Sequence, residues 1–467
     1  MDTANYFDWM FIIFIHEANG LTDKWNDIVT AIEKAGPGTN NGIFLIRDSL
    51  TITPSPNGTA TNTFNMSISQ LQPDAKYGYC FKHLPVVFDA NSRVAWKKAF
   101  EYLFTNFRSK RKILSCLSHG AAFGIDVDHV PGNAQKLEIV RNPYYFLDKK
   151  DIDGIVSSRH WAPADERKKQ FVLDGRIPKE NGANVCQSLE ILWMSDLADV
   201  LRDFLKGDRI DLLVLNNCYV QSFDTGFVLK DNVDYIVAPE GAMNAVAFDF
   251  LSLLAHISAP ASAGIPGAEL ARNVIKDYIA FNQTTELEYF LDRQAVFAND
   301  VSRYSVVMSL LGEMLDILEA AAAASPGIIG ILMDIQDNQV AYVSSPEGFY
   351  TDNYLDMIDA FQWVEMVMTR LDSLFRSTSL AARFADVKKN LVLAGKVGDQ
   401  LLYDDGCSKL KYGYSGVSIF FPACADIKDL EILPWCAYFG DQIPSQWQAR
   451  WKSFLNKYYK SCKTTPL

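Results

Sequence analysis

Near its start the chain carries seven consecutive apolar residues, Trp9-Met-Phe-Ile-Ile-Phe-Ile15. A run rich in isoleucine and aromatics, with no polar alternation, reads as a strand buried on both faces, which requires helices on either side of a sheet. It is far shorter than the ~20 residues of a bilayer span. The first covering helix starts at about Thr22, with Trp25, Ile28, Val29 and Ile32 on one face and an end near Gly36. The pattern then recurs. Gly42 to Ile46 is a strand, and Trp96, Phe100, Leu103, Phe104 and Phe107 form one helical stripe ahead of the strand Ile113 to Leu117. Ser195 stands as an N-cap before Leu197, Val200, Leu201, Phe204 and Leu205, and the strands Ile210 to Leu215 and Val233 to Val237 follow. This alternation predicts an α/β fold with a mostly parallel sheet covered on both faces.

Other segments interrupt that rhythm. Residues 51–75 are rich in Thr, Asn, Ser and Pro and read as a loop or a small polar hairpin, and 108–112 read as a basic turn. Residues 126–185 form a long, charged, irregular connection, a length that usually marks function or mobility. Beyond about residue 250 the pattern turns helical, over 251–257, 268–281, 309–324 and 356–390, with one late strand-like run, Gly416-Val-Ser-Ile-Phe-Phe-Pro422. The expected organisation is an α/β domain over 5–250, a helical region over 251–400, and a terminal segment over 401–467 that returns to the core.

Composition narrows the function classes. A hydrophobic content of 49% fits a folded chain, and a net charge of -12 argues against a nucleic-acid partner. No membrane span is expected. Asp2 and Asp8 stand where a signal peptide would be positive, so the protein is either retained in the cell or exported with its leader removed. Eight cysteines without a CxxC pair and six histidines without close spacing offer no metal site, and no cofactor is expected. Oligomeric state is left open.

Two of the predicted strands end in residues with chemistry. One stops at Ser118-His119-Gly120 and another at Asn216-Asn217-Cys218, with 99 residues between imidazole and thiol. In an open parallel sheet, ligands collect at the carboxyl edge of the strands, so both side chains belong to one rim. A free thiol of pKa about 8.5 is a poor nucleophile at neutral pH until a nearby imidazolium lowers that value. The backbone N–H groups of Gly120 and Cys218 form a candidate oxyanion hole. Taken singly, a histidine after a strand is commonly a polar loop residue and a cysteine there a small buried hydrophobe. His16, closing the first strand, is the other histidine expected near this rim. The run Gly120-Ala-Ala-Phe-Gly124 lacks the third glycine of a phosphate-binding GxGxxG loop.

Several segments resemble the clostripain family of cysteine peptidases. They are Trp9 to Ile15 with Glu17-Ala-Asn-Gly-Leu21, Leu117-Ser-His-Gly120, Met194-Ser-Asp-Leu197, Asp211 to Cys218 with Leu229-Lys-Asp231 and Asp234-Tyr-Ile-Val-Ala238, and Gly416 to Pro422. The resemblance implies a caspase-like three-layer α/β/α sandwich and an endopeptidase acting on a peptide or protein substrate. It implies Cys218 as nucleophile and His119 as general acid/base. It also implies cutting of the 126–185 connection during maturation. One position departs from the family, which usually has Asp two residues before the cysteine, facing a basic P1 side chain. Here that residue is Asn216, so an uncharged or polar P1 is expected. Glu240 is read either as a substitute carboxylate or as a solvated loop acid. The rival to an active peptidase is a catalytically inactive scaffold of the same fold.

Overall fold

The computed structural model describes residues 6–16, 22–54, 60–89, 92–118, 124–126, 191–284 (apart from 242, 244–246 and 260–263), 294–338, 357–398, 414–421, and 450–458 without 452 and 456. A nine-stranded sheet runs through these residues. Its parallel centre is β2(Asn41–Pro54), β1(Tyr6–His16), β5(Arg108–Leu117), β8(Ile210–Asn216) and β9(Val233–Pro239), in that spatial order. Antiparallel strands extend both sides. β3(Ala60–Asp74) and β4(Gly78–Asp89) follow β2, while β10(Ala295–Asp300) and β12(Val392–Val397) follow β9. The short pairs β6(Gly124–Asp126) with β7(Ile191–Trp193), and β11(Met357–Asp359) with β13(Ser418–Phe420), stand outside the large sheet.

The opening apolar run behaves as its composition requires. Trp9, Phe11, Ile13 and Ile15 face one side of the sheet and Met10, Ile12 and Phe14 the other, all within 1% exposure. On the first side lie α1(Thr22–Ala35), α5(Phe250–Ser258) and α6(Gly267–Thr284), through Trp25, Ile28, Ile32, Leu253, Leu254 and Val274. On the second lie α2(Ser92–Asn106), α3(Met194–Leu205), α4(Phe223–Leu229) and α7(Tyr304–Ala324), through Trp96, Phe100, Leu201, Phe227 and Leu311. Helices on both faces of a mostly parallel sheet make the expected three layers.

Several sequence expectations change. The described residues of the polar stretch 51–75 are strand and not loop, and the hairpin they form is a long one, with β2 and β3 paired antiparallel from Phe44↔Gln70 as far as Pro54↔Ala60. Periodicity misses β4 because Lys82 and His83 interrupt its apolar pattern. The basic turn is instead the first half of β5. Arg111 stacks its guanidinium 4.4 Å from the Trp9 ring centroid and pairs with Asp211 at 2.5 Å, and Lys112 pairs with Asp208. These pairs fasten the amino-terminal edge of the sheet, opposite the edge where ligands collect. Residues past 250 are not wholly helical, since β10 and β12 join the same sheet. The stretch 356–390 is broken into β11, α9(Ala360–Arg370), α10(Asp372–Phe375) and α11(Leu380–Leu391), and a further helix, α8(Gly327–Asn338), precedes it. The connection 126–185, apart from Asp126 itself, lies outside the described residues.

Described residues late in the chain pack into the core on the second side of the sheet. Phe421 packs edge-on against Trp363 at 5.4 Å and Trp451 at 5.6 Å, with Phe454 and Tyr458 completing the cluster. The Tyr458 hydroxyl donates to Gln336 Oε1 at 2.6 Å, and Gln336 Nε2 donates to the Phe421 carbonyl at 2.9 Å. On the same side α4 lies flat against α7 because Gly226 has no side chain; an added Cβ would meet the Tyr304 ring at 2.1 Å. Gly226→Ala is therefore expected to lower stability by about 1–3 kcal/mol through overpacking. Urea midpoints of the two proteins check this, and an unchanged midpoint would show that the contact yields freely.

Candidate active site

β5 and β8 lie side by side at the centre of the sheet, and their register is direct. Leu117 pairs with Asn216, the last residue of each strand. Beyond that rung the Asn217 side-chain amide donates to the Ser118 carbonyl at 3.0 Å, and both residues are buried. The strand ends that precede the two predicted catalytic residues are thus bonded to each other. His119 and Gly120 themselves lie outside the described residues, as does the His16 side chain.

Cys218 is partly buried at the carboxyl edge of β8. Its Sγ accepts a hydrogen bond from the Met243 N–H at 3.3 Å and lies 3.6 Å from the Met243 carbonyl. The next residue, Tyr219, has φ of 62°, a left-handed conformation that a bulky residue adopts at a cost of about 1–3 kcal/mol. It is held there by burial and by donation of its N–H to the Gly241 carbonyl at 2.8 Å. Gln221 N–H donates to the Pro239 carbonyl at 3.0 Å, so residues 219–221 and 239–241 run as an antiparallel lacing. Strain at the position after a thiol is a feature of sites where backbone geometry fixes a reactive group. The sequence carried no signal for it, since nothing in a Tyr after a Cys announces positive φ. Cys116, by contrast, is fully buried, and burial alone pushes its thiol far up, which marks an inert core cysteine.

Asn216 is 3% exposed. Glu240 is fully buried, so it is not a solvated loop acid. Its Oε2 accepts from the Gly416 N–H at 2.8 Å. Burial and the neighbouring Asp359 carboxyl push Glu240 well above the usual carboxylate range, opposed by Gly416 N–H and the Lys388 charge. Asp359 is also fully buried and raised by burial, while Ser415, Gln362 and Glu240 pull it down. It accepts from Ser415 N–H and Oγ, each at 2.5 Å, and from Gln362 N–H at 2.7 Å as the N-cap of α9. Two carboxyls confined together disfavour each other's ionisation, and of the two Glu240 is pushed further up. Sequence reasoning missed Asp359: its capping position was legible, its burial was not.

Among the described residues no group of three or more His, Cys, Asp or Glu side chains is arranged to hold a metal, and no helix is long and apolar enough to cross a membrane. A partly buried thiol at the carboxyl edge of a helix-covered, mostly parallel sheet is the arrangement of the caspase-like cysteine peptidases. Three solved structures share the fold. A secreted C11 cysteine protease from Bacteroides thetaiotaomicron, in complex with an irreversible peptide inhibitor, aligns at TM-score 0.55 and 14% identity, covering 96% of this chain and 99% of that one. A second structure of a secreted C11 protease from that organism aligns at 0.57 and 11%, covering 95% and 99%. An inactive zymogen C11 protease from Parabacteroides distasonis aligns at 0.56 and 13%, covering 95% and 98%. No curated protein matches the chain. The clostripain family model matches residues 176–462, more than half of the sequence, a stretch that holds Cys218 and begins after His119. The chain belongs to the clostripain family and is a cysteine-type endopeptidase.

The glycine that opens the late family-like run has a structural reason. Gly416 sits at φ of 102°, and a Cβ there would stand 2.9 Å from Val392 Cγ2. Its N–H reaches Glu240 and its carbonyl accepts from Asn299 Nδ2 at 2.8 Å. Gly416→Ala is expected to destabilise the protein by about 1–3 kcal/mol, the cost of forcing a side chain into that backbone region. A thermal melt unaltered by the substitution would mean that the segment relaxes without loss.

Proposed function

We propose that the chain hydrolyses peptide bonds through an acyl-thioester, with Cys218 as nucleophile and His119 as general acid/base. The observation that carries this reading is the direct register of Leu117 with Asn216. His119 follows Leu117 by two residues and Cys218 follows Asn216 by two, and the Asn217–Ser118 hydrogen bond ties their immediate predecessors together. In the proposed reaction the imidazole takes the thiol proton, the thiolate attacks the scissile carbonyl, and the imidazolium protonates the leaving amine. Water then cleaves the thioester. The N–H groups of Gly120 and Cys218 would receive the developing oxyanion, a contribution that commonly amounts to several kcal/mol. The substrate is a peptide or protein.

Cys218→Ala and His119→Ala are each expected to lose several orders of magnitude in kcat with the fold retained. A proteome-derived peptide library digested with wild type and Cys218→Ala, with cleavage sites read by mass spectrometry, reports activity and P1 preference together. Turnover by Cys218→Ala at the wild-type rate would end the assignment.

Asn216 is proposed to face the P1 side chain. An amide hydrogen-bonds a guanidinium but brings no opposite charge, and a charge-assisted contact is roughly twice as strong as a neutral one. Asn216→Asp is expected to raise kcat/KM for arginyl substrates by about ten-fold, or ~1.4 kcal/mol. At 3% exposure the new carboxyl would be desolvated, so the gain should grow with pH as it ionises. A pair of fluorogenic peptides differing only in arginine or glutamine at P1 checks this. If wild type already favours arginine strongly and Asn216→Asp changes nothing, another group sets P1 selection.

A further inference from the structure

Resting on the peptidase reading, we propose that Glu240 and Asp359 are a positioning pair for the nucleophile: the two buried carboxyls clamp the terminal strand against residues 239–241 and thereby fix the backbone that cradles Cys218.

The clamp is a closed ring of bonds. Glu240 Oε2 accepts from Gly416 N–H at 2.8 Å. Two residues on, Ser418 N–H donates to the Gln221 carbonyl at 3.1 Å, where Ser222 and Ser418 form a parallel bridge. Gln221 N–H returns to the Pro239 carbonyl at 3.0 Å, next to Glu240. Asp359 holds the residue next to Gly416 through Ser415, and Ala360 N–H donates to the Val417 carbonyl at 2.9 Å. From this ring the lacing reaches the thiol in two steps, Tyr219 N–H to Gly241 and Met243 N–H to Cys218 Sγ. Fully buried and turned to Gly416, Glu240 has the surroundings of an internal strut; a substrate-facing acid needs an open side.

The other titratable groups that face the pair are Lys388 of α11 and Tyr304 of α7. Burial pushes the Tyr304 hydroxyl up, so it stays neutral, and Lys388 is the cation opposite two acids. While Glu240 keeps its proton the ring carries one negative charge. When it ionises, two desolvated carboxylates repel across it. Because burial raises the folded-state pKa of Glu240, the stabilising proton is fully present below the ordinary carboxylate range and is lost as pH rises through the raised value. An amide at 240 keeps both hydrogen-bonding functions and cannot ionise.

The test compares wild type, Glu240→Gln, Glu240→Ala and Asp359→Asn from about pH 5 to about pH 9, a range spanning ordinary and raised carboxyl values. Two readouts are taken: kcat and KM on a peptide that wild type cleaves, and the rate of Cys218 alkylation by iodoacetamide, read by mass spectrometry against Cys80 of the same molecule. Glu240→Ala is expected to lower kcat by about ten- to a hundred-fold with little change in KM, the scale of a small misplacement of a reacting group. It should also shift the Cys218 alkylation rate. Glu240→Gln should recover most of that loss and extend the active range to higher pH. The proposal fails if Glu240→Ala, folded by circular dichroism, matches wild type in kcat and in Cys218 reactivity. It fails equally if Glu240→Gln is as impaired as Glu240→Ala at every pH, or if its loss is confined to basic P1 substrates, the pattern of a substrate-facing carboxylate. Should Glu240→Ala not fold, the pH profiles of Glu240→Gln and Asp359→Asn decide alone. Should wild type cleave nothing, the peptidase reading is what has failed, and Cys218 alkylation still reports on the clamp.

Discussion

β5 and β8 run parallel at the centre of the sheet with Leu117 opposite Asn216, and that pairing brings Ser118 beside Asn217, the residue before Cys218. Parallel neighbours end at the same edge, so whatever follows one strand is brought beside whatever follows the other. The pairing is secured away from the chemistry. Alternate residues of β8 enter the two cores, Leu212 and Val214 on one side and Leu213 and Leu215 on the other, all fully buried. Arg111 and Lys112 anchor the opposite end through Asp211 and Asp208. A slip of one residue would exchange the two faces of each strand and bury charge, so the register is strongly specified.

A sheet edge alone is an open surface, and the later part of the chain closes it. β10 extends the sheet beside β9 and accepts the Glu240 N–H at Ala295. β13 crosses near the strand ends, bridging Ser222 and anchored by the Trp363–Phe421–Trp451 aromatic cluster. The residues around Cys218 are therefore supported from the sheet on one side and from the terminal segment on the other. A strained Tyr219 persists only where its surroundings over-determine it, and the two supports supply that constraint.

The sequence made the three layers legible because fully buried strands and one-faced helices leave strong periodic signatures, as in Trp9 to Ile15 and in the Trp96–Phe100–Phe104 stripe. The same runs placed Cys218 at a strand end. What was missed had no periodic signature. β2 and β3 extend through Thr, Asn and Ser residues whose strand state is set by their partners across the hairpin. β10 and β12 are six residues each, inside a region dominated by helices. The burial of Glu240 and Asp359 depends on contacts between residues 119 positions apart in the chain, which no local pattern reports. Arg111 and Lys112 read as part of a basic turn because charge was taken without the Trp9 ring and the aspartates that receive it.

Charge at the rim has a common logic. Asn216 is neutral by identity, and burial beside Asp359 pushes the Glu240 carboxyl up and so favours its neutral form. An ionised acid at either position in the free protein would need a cation or water to compensate its desolvation, and burial withholds water from both. The Lys388 charge lowers both buried carboxyls, and least among the influences on each. A carboxylate at position 216 would depend on the substrate's own cation to be stable as an anion, gaining selectivity for basic residues at the expense of the unliganded state. Asparagine avoids that dependence. In the proposed reading, where Asn216 faces the P1 side chain, recognition would rest on shape and neutral hydrogen bonding, which discriminate between side chains less sharply than a buried charge pair does.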